Sequence, residues 1–240
     1  MCESDSQMAG LGQTYWREVI EVLRNLIPVY NKVNRAISLG QDIRYRKQGL
    51  KGKVNEGDIV LDAGSGFGNM TLLLSTMLNW KVSVVMYDPI SEMLQNARRF
   101  LGTENVKNLS CGIFEGMPFR DEIFDAVLCG YSLRDSISLV SAISEIHRIL
   151  KKNGRFVVVD LGKPDNSLFR CLVSFYLKYF LKFVAFSVSG RQGLKFKTLY
   201  GTYVKWPRNS ELYALLANKF SKVVLEERLF GGAIIVVAYK

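Results

Sequence analysis

The sequence predicts an α/β fold in which five parallel strands and a C-terminal antiparallel hairpin form one doubly wound, seven-stranded sheet. Helices precede the first strand, and a helical insertion follows the fifth. Three observations carry this. Between Val54 and Leu161, short β-branched runs alternate with helical stretches, as βαβ units require. One of those runs leads straight into a glycine-rich turn at Gly64-Ser65-Gly66-Phe67-Gly68. Near the end of the chain, two β-rich runs flank Gly231-Gly232, which is a hairpin signal. With 240 residues and 48% apolar content, the chain can bury one ordinary core. It divides into a helical cap over 14–50, a core over 54–161, an insertion over 165–210, and a C-terminal helix and hairpin over 211–240.

The segment Thr14–Gly40 reads as two helices, one striped by Trp16, Val19, Ile20, Leu23 and Ile27, the other by Val29, Val33, Ala36 and Ile37. Strands are expected at Asp58–Ala63, Val82–Asp88, Asn108–Phe114, Phe124–Gly130 and Arg155–Leu161. A helix over Asn69–Leu78 follows the glycine turn. The next has Ser91 as its N-cap, Met93, Leu94, Ala97 and Leu101 on one side, and Gly102 as a stop. A third, Ser136–Lys151, repeats the pattern with Leu139, Ala142, Ile143, Ile146, Ile149 and Leu150, and carries His147 in its last turn as a structural residue. The stretch Leu168–Val188 is apolar and aromatic. Leu168, Leu172, Phe175, Tyr179, Phe183 and Phe186 fall at helical spacing, interrupted by Arg170, Lys178 and Lys182.

Composition narrows the function. A net charge of +10 favours anionic partners: nucleic acid, phosphorylated ligands or anionic membrane. Cys2, Cys111, Cys129 and Cys171 form no CxxC pair and His147 is the sole histidine, so no metal site is expected and a Ser-His-Asp hydrolase is disfavoured. The polar start MCESDSQMAG does not read as a secretory signal, and a reducing, cytoplasmic setting is expected.

The strongest local signal runs from Ile59 to Gly68. Glycines at alternate positions let the backbone turn sharply and pass close to a ligand. The spacing is GxGxG, and a dinucleotide fingerprint would place its third glycine at Asn69, so NAD is disfavoured. Asp62 either organises the turn or touches the ligand. Asp88, ending the next strand, suits the two hydroxyls of a ribose, or caps the following helix.

The glycine turn, Asp88 and Phe124-Asp125-Ala126-Val127 together resemble a class I S-adenosylmethionine-dependent methyltransferase with a Rossmann-like sheet. More narrowly, the chain resembles the C-methyltransferases of ubiquinone and menaquinone biosynthesis, through Val29-Tyr30-Asn31-Lys32-Val33-Asn34, Arg44-Tyr45-Arg46, Glu115-Gly116-Met117-Pro118-Phe119, Tyr131-Ser132-Leu133-Arg134-Asp135, Gly162-Lys163-Pro164, Trp206-Pro207 and Gly231-Gly232. The resemblance implies S-adenosyl-L-methionine as cofactor, held by Asp62, Gly64, Gly66, Phe67, Gly68, Asp88, Ile113, Phe114 and Gly130. Ile113 stands where the family has a polar residue near the adenine, so that side-chain hydrogen bond is lost. The stretch 131–135 is implied to lie beside the transferred methyl, with Arg134, Asp135 and Tyr30 as catalytic candidates. Arg134 would stabilise a phenolate or hold a water, or form a structural salt bridge. Asp135 would act as a base, or pair with Arg134 as a helix cap.

The implied substrate is a lipophilic quinol, which suits a peripheral enzyme on the inner face of a membrane. Three cations make Leu168–Val188 a costly membrane span, so it reads as an interfacial helix or lid, or as ordinary core. A homodimer stays open. Cations interleaved with Phe196, Tyr200, Tyr203 and Trp206 leave RNA or another small molecule as an alternative methyl acceptor, and a non-enzymatic binding module as a second alternative.

Overall fold

A computed structural model describes residues 10–29, 31, 35, 38, 40–102, 108–180 and 197–240. Its strands are β1 (Ile59–Ala63), β2 (Ser83–Asp88), β3 (Asn108–Cys111), β4 (Phe124–Gly130), β5 (Leu150–Leu161), β6 (Lys222–Arg228) and β7 (Ala233–Tyr239). They form one sheet in the order β3-β2-β1-β4-β5-β7-β6. Strands β1 to β5 are parallel, while β7 runs antiparallel between β5 and β6, with Val157 opposite Val237. The chain leaves β1 towards β2 on one side and returns to β4 on the other. This is the switch point where ligands bind beyond strand ends.

Among the described residues, the helices of the cap are α1 (Gln13–Leu26) and α2 (Asp42–Leu50); those of the core are α3 (Asn69–Met77), α4 (Ser91–Leu101) and α5 (Leu139–Ile149). Three more follow β5: α6 (Ser167–Phe175), α7 (Lys197–Lys205) and α8 (Asn209–Ala217). Alternate strand residues feed two cores, because successive side chains point to opposite faces. Leu61, Val127, Phe156 and Val158 pack with Leu139 and Ile143 of α5 and with Trp206, Leu212 and Leu216. Val60, Ala126, Val157 and Val159 pack with Met70 and Leu74 of α3 and with Tyr45 and Leu50 of α2. The insertion is tied to the sheet by buried Asn209, whose Oδ1 accepts from Lys163 N–H and whose Nδ2 donates to Glu227 and to the Gly231 carbonyl. His147 stacks edge-on to Phe220 at 5.3 Å, as its structural reading expects.

Several boundaries differ from expectation. Strand β3 stops at Cys111, so Ile113 and Phe114 lie in the loop beyond it. The N-cap of α4 is Ile90, not Ser91; its N–H is held by Asp88 Oδ1 at 2.8 Å. Helix α5 starts at Leu139, capped by Ser138, whose hydroxyl accepts from Ser141 N–H. It stops at Ile149 because Leu150 already pairs with Phe124, so β5 takes residues expected in the helix. The hairpin turn spans four residues, with Leu229, Phe230 and Gly231 at φ 51°, 54° and 87°, where two glycines were expected to suffice. The second expected cap helix falls on Val33, Ala36 and Ile37, and part of the aromatic stretch on Phe183 and Phe186, all outside the described residues. Among the described residues, no helix is long and apolar enough to cross a membrane.

Candidate active site

The end of β1 is locked to β2, because Gly64 and Ser65 both donate N–H bonds to the Tyr87 carbonyl at 2.7 and 3.0 Å. Gly64 takes φ 68°, and a Cβ there would stand 2.4 Å from that of Ser132, so the turn also seats on the exit of β4. Gly66 differs. A Cβ on it would meet only Met93 Sδ, at 3.7 Å, so its backbone faces an open recess. Gly64, Asp88, Ile113, Phe114 and Ser132 line the same recess.

Asp88 is buried, with Oδ2 accepting from Gly66 N–H at 2.9 Å and Oδ1 from Ile90 N–H at 2.8 Å. Burial pushes its pKa up to about 6. A carboxylate offers about four acceptor positions, so two remain for the hydroxyls of a ribose. Asp88 thus braces the entry to α4 without capping it, and two acceptor positions stay available for a ribose. The open space over Gly66 and these unfilled lone pairs fit a nucleoside cofactor.

Other expected contacts stand behind the recess. Asp62 accepts from the N–H and hydroxyl of Thr71 at 3.1 and 2.6 Å, which ties β1 to α3, and it does not line the recess. Its burial also raises its pKa to about 6. Phe67 packs with Ile20, Ile90 and Met93. Gly68 starts α3 in the left-handed region, and a Cβ there would come within 2.8 Å of Leu101. Gly130 leaves room for Met70 and for Arg46, whose Nε would lie 3.3 Å from a Cβ. On the outer side, Trp16, Ile20 and Leu23 of α1 close the recess, a task that its apolar stripe alone did not disclose. The enclosed volume is about 40 Å³. Sites that enclose small ligands hold roughly 300 Å³ or more, so with α1 in this position the recess takes only part of a nucleoside.

Next to the recess lies a larger apolar cavity of about 330 Å³. Leu23, Tyr131 and Asp135 line both spaces, so the two meet at the end of β4. Arg134 is buried there and ion-pairs through Nη1 with Asp160 Oδ1, while its Nε lies 3.8 Å from Asp135. Asp160 ends the apolar run of β5 and is 0% exposed, and a carboxylate at that position is the sequence signal that marks it. Burial pushes the Asp135 carboxyl up to about 6 against the opposing pull of Arg134. Asp135 does not cap α5, since Ser138 does. Tyr131 holds φ 64°, pinned by its N–H to the Val159 carbonyl at 2.7 Å. Tyr30, the third catalytic candidate, lies outside the described residues.

The family model described as "ubiE/COQ5 methyltransferase family" matches residues 8–240. The chain is 28% identical over 222 residues to the ubiquinone/menaquinone biosynthesis C-methyltransferase UbiE of Geotalea uraniireducens, covering 90% of this chain and 92% of that one. It is also 28% identical to the demethylmenaquinone methyltransferase of Lactobacillus johnsonii, covering 90% of each. Among solved structures, an S-adenosylmethionine-dependent methyltransferase of Thermotoga maritima superposes with a TM-score of 0.60 at 18% identity, over 92% of this chain and 98% of that one, a likeness of fold. The chain belongs to the ubiE/COQ5 methyltransferase family, and S-adenosylmethionine is its cofactor.

Proposed function

We propose that this methyltransferase acts on a ring carbon of a prenylated benzoquinol or naphthoquinol. The observation that carries the reading is the meeting of two spaces. A recess suited to a nucleoside opens, at Asp135 and Tyr131, into an apolar cavity large enough for a ring with part of a tail. The names of the relatives in Geotalea and Lactobacillus point to the same substrate class.

The bound cofactor supplies an electrophilic methyl group. The chain's own task is to make the ring carbon nucleophilic and to hold it in line. Asp135, with a pKa near 6, is a carboxylate at neutral pH and accepts the proton of the hydroxyl beside the reacting carbon. The adjacent Arg134 guanidinium, held by Asp160, stabilises the phenolate as it develops. The ring carbon then forms the new bond and loses its hydrogen as a proton, the oxygen regains one, and one proton is released per turnover. Gly64, Gly66, Asp88, Ile113 and Phe114 are assigned to the cofactor directly; Asp62, Phe67, Gly68 and Gly130 support the fold around it. Tyr30 keeps its assignment to the polar network around the ring.

The cavity's rim supports a membrane surface as the place of work. Leu172 and Leu229 line the cavity and are exposed, so they mark its mouth. Around them Leu168 is 63% and Phe230 75% exposed, and Phe169 stacks on Phe230 at 4.9 Å. Apolar area of this kind, beside Arg170 and Lys178, suits a peripheral site on the inner face of an anionic bilayer, where a tail passes from lipid into the cavity. The test is transfer of a labelled methyl group from S-adenosylmethionine to a short-tailed demethylmenaquinol or benzoquinol in detergent. Label in the ring supports the reading; tight cofactor binding with no label in either quinol overturns it.

A further inference from the structure

We infer that Arg46 anchors the second oxygen of the substrate ring and makes the enzyme selective for 1,4-dihydroxy rings; this rests on the quinol reading above. Arg46 is only 4% exposed, yet it lines the apolar cavity. Its Nη1 donates to Asp42 one turn back in α2 at 2.7 Å. Its guanidinium lies over the Tyr131 ring, 4.7 Å from the centroid. Its Nε is buried and has no hydrogen-bond partner among the described residues. A buried charged donor without an acceptor is costly, and a ligand oxygen is one of the partners that can satisfy the guanidinium. The absent side chain of Gly130 is what lets that Nε sit beside β4.

The cavity thus holds two guanidinium groups in different settings. Arg134 is tied to Asp160 and stands beside Asp135, the proton acceptor. Arg46 pairs with Asp42, whose carboxylate also accepts from the Ser38 hydroxyl and lines the cavity beside it. Tyr131 carries the Arg46 guanidinium over its ring and lines the same cavity as Arg134. A 1,4-dihydroxy ring has two oxygens on opposite sides. With one directed to Asp135 and Arg134, the other requires a donor, and Arg46 is the second guanidinium that lines the cavity. Binding both oxygens fixes the ring in its plane and determines which carbon faces the methyl group.

The experiment compares methylation of a short-tailed naphthoquinol with that of its monomethyl ether at the oxygen remote from the methylated carbon, in wild type and in Arg46→Gln. The expected result is a wild-type preference for the free diol. In Arg46→Gln, KM for the diol rises by about tenfold or more, the order lost with one charge-assisted hydrogen bond. The preference collapses towards one, and calorimetric affinity for S-adenosylmethionine is unchanged. Arg46→Lys, which keeps the charge, serves if the glutamine variant does not fold, and is expected to keep part of the preference. An unchanged diol-to-ether ratio in the variants overturns the inference, even if the overall rate falls. Failure of the wild type to methylate either ring with cofactor bound overturns the quinol reading itself, and this inference with it.

Discussion

The two halves of the site are built from different materials. The cofactor recess is backbone and strand ends: Gly64 and Ser65 hang on the Tyr87 carbonyl, and Asp88 is clamped by the N–H groups of Gly66 and Ile90. Its partners lie close in sequence or on hydrogen-bonded neighbouring strands. The cavity is a meeting of side chains from α1, α2, α6, the β4 and β5 ends and the hairpin turn. A turn that must adopt one conformation leaves a mark in sequence, whereas a cavity assembled from distant elements leaves only scattered apolar residues. The halves should therefore fail differently when altered.

The sharpest break is expected at Arg134. Arg134→Ala strands Asp160 as a buried charge, which costs about 3–5 kcal/mol of stability, and removes a stabilising donor worth about 10²–10³ in kcat. Affinity for S-adenosylmethionine should hold, because the recess does not use Arg134. Denaturant unfolding, turnover and calorimetry on one preparation check this; comparable losses in rate and cofactor affinity would merge the two halves.

Gly64→Ala should show the reverse. A Cβ at φ 68° and 2.4 Å from that of Ser132 forces the turn to move, for a cost of order 1–3 kcal/mol. We expect cofactor affinity to drop by roughly ten- to a hundredfold, measured by calorimetry, while quinone analogues still enter the cavity.

Acidity separates stability from function. Asp62, Asp88 and Asp135 all have pKa values raised to about 6, above the ordinary 3.8. Raised carboxyls contribute stability that is fully present below the unfolded value and is lost as pH rises through the folded one. Between about pH 4 and 6, the cofactor-free protein should therefore unfold less readily as pH falls. Asp125 and Glu145, whose pKa values ion pairing and hydrogen bonding lower, act in the opposite sense at more acid pH. Catalysis needs Asp135 ionised, so kcat should fall about tenfold per unit below pH 6, and Asp135→Asn should lose both the slope and most of the rate. Parallel slopes for unfolding and turnover would remove Asp135 from the proton transfer.

The smallest effect concerns the rim. Phe230→Ser should weaken flotation with anionic vesicles by about fivefold, the order expected for one interfacial aromatic side chain. Turnover of a short-tailed quinol in detergent should stay within a factor of about two, as a surface substitution of small energetic consequence. Equal losses in both assays would make the hairpin tip part of the site.

The strand-end half was largely legible. Gly64, Gly66 and Asp88 were found because a positive-φ turn and a terminal carboxylate are local requirements. Ile113 and Phe114 came from the family resemblance and do reach the recess, though from a loop where strand was expected. Leu150 misled because it continues the apolar stripe of α5, and only its pairing with Phe124 ends the helix. Leu229 and Phe230 read as strand by propensity, yet closing β6 onto β7 holds them in the left-handed region. Arg46, Asp160 and the covering role of α1 went unassigned because nothing in their immediate neighbours distinguishes them.

The family resemblance implied the class of cofactor, and the sequence by itself determined the sheet, its parallel strands with a terminal hairpin, and the glycine turn. These rest on periodicity, backbone conformation and short-range hydrogen bonding, which neighbouring residues dictate. Only the tertiary structure decided that Asp135 borders both spaces, that Asp160 holds Arg134, and that Arg46 reaches the cavity over Tyr131. Those contacts join residues separated by much of the chain, and they come into being only when the two layers of helices close on the sheet.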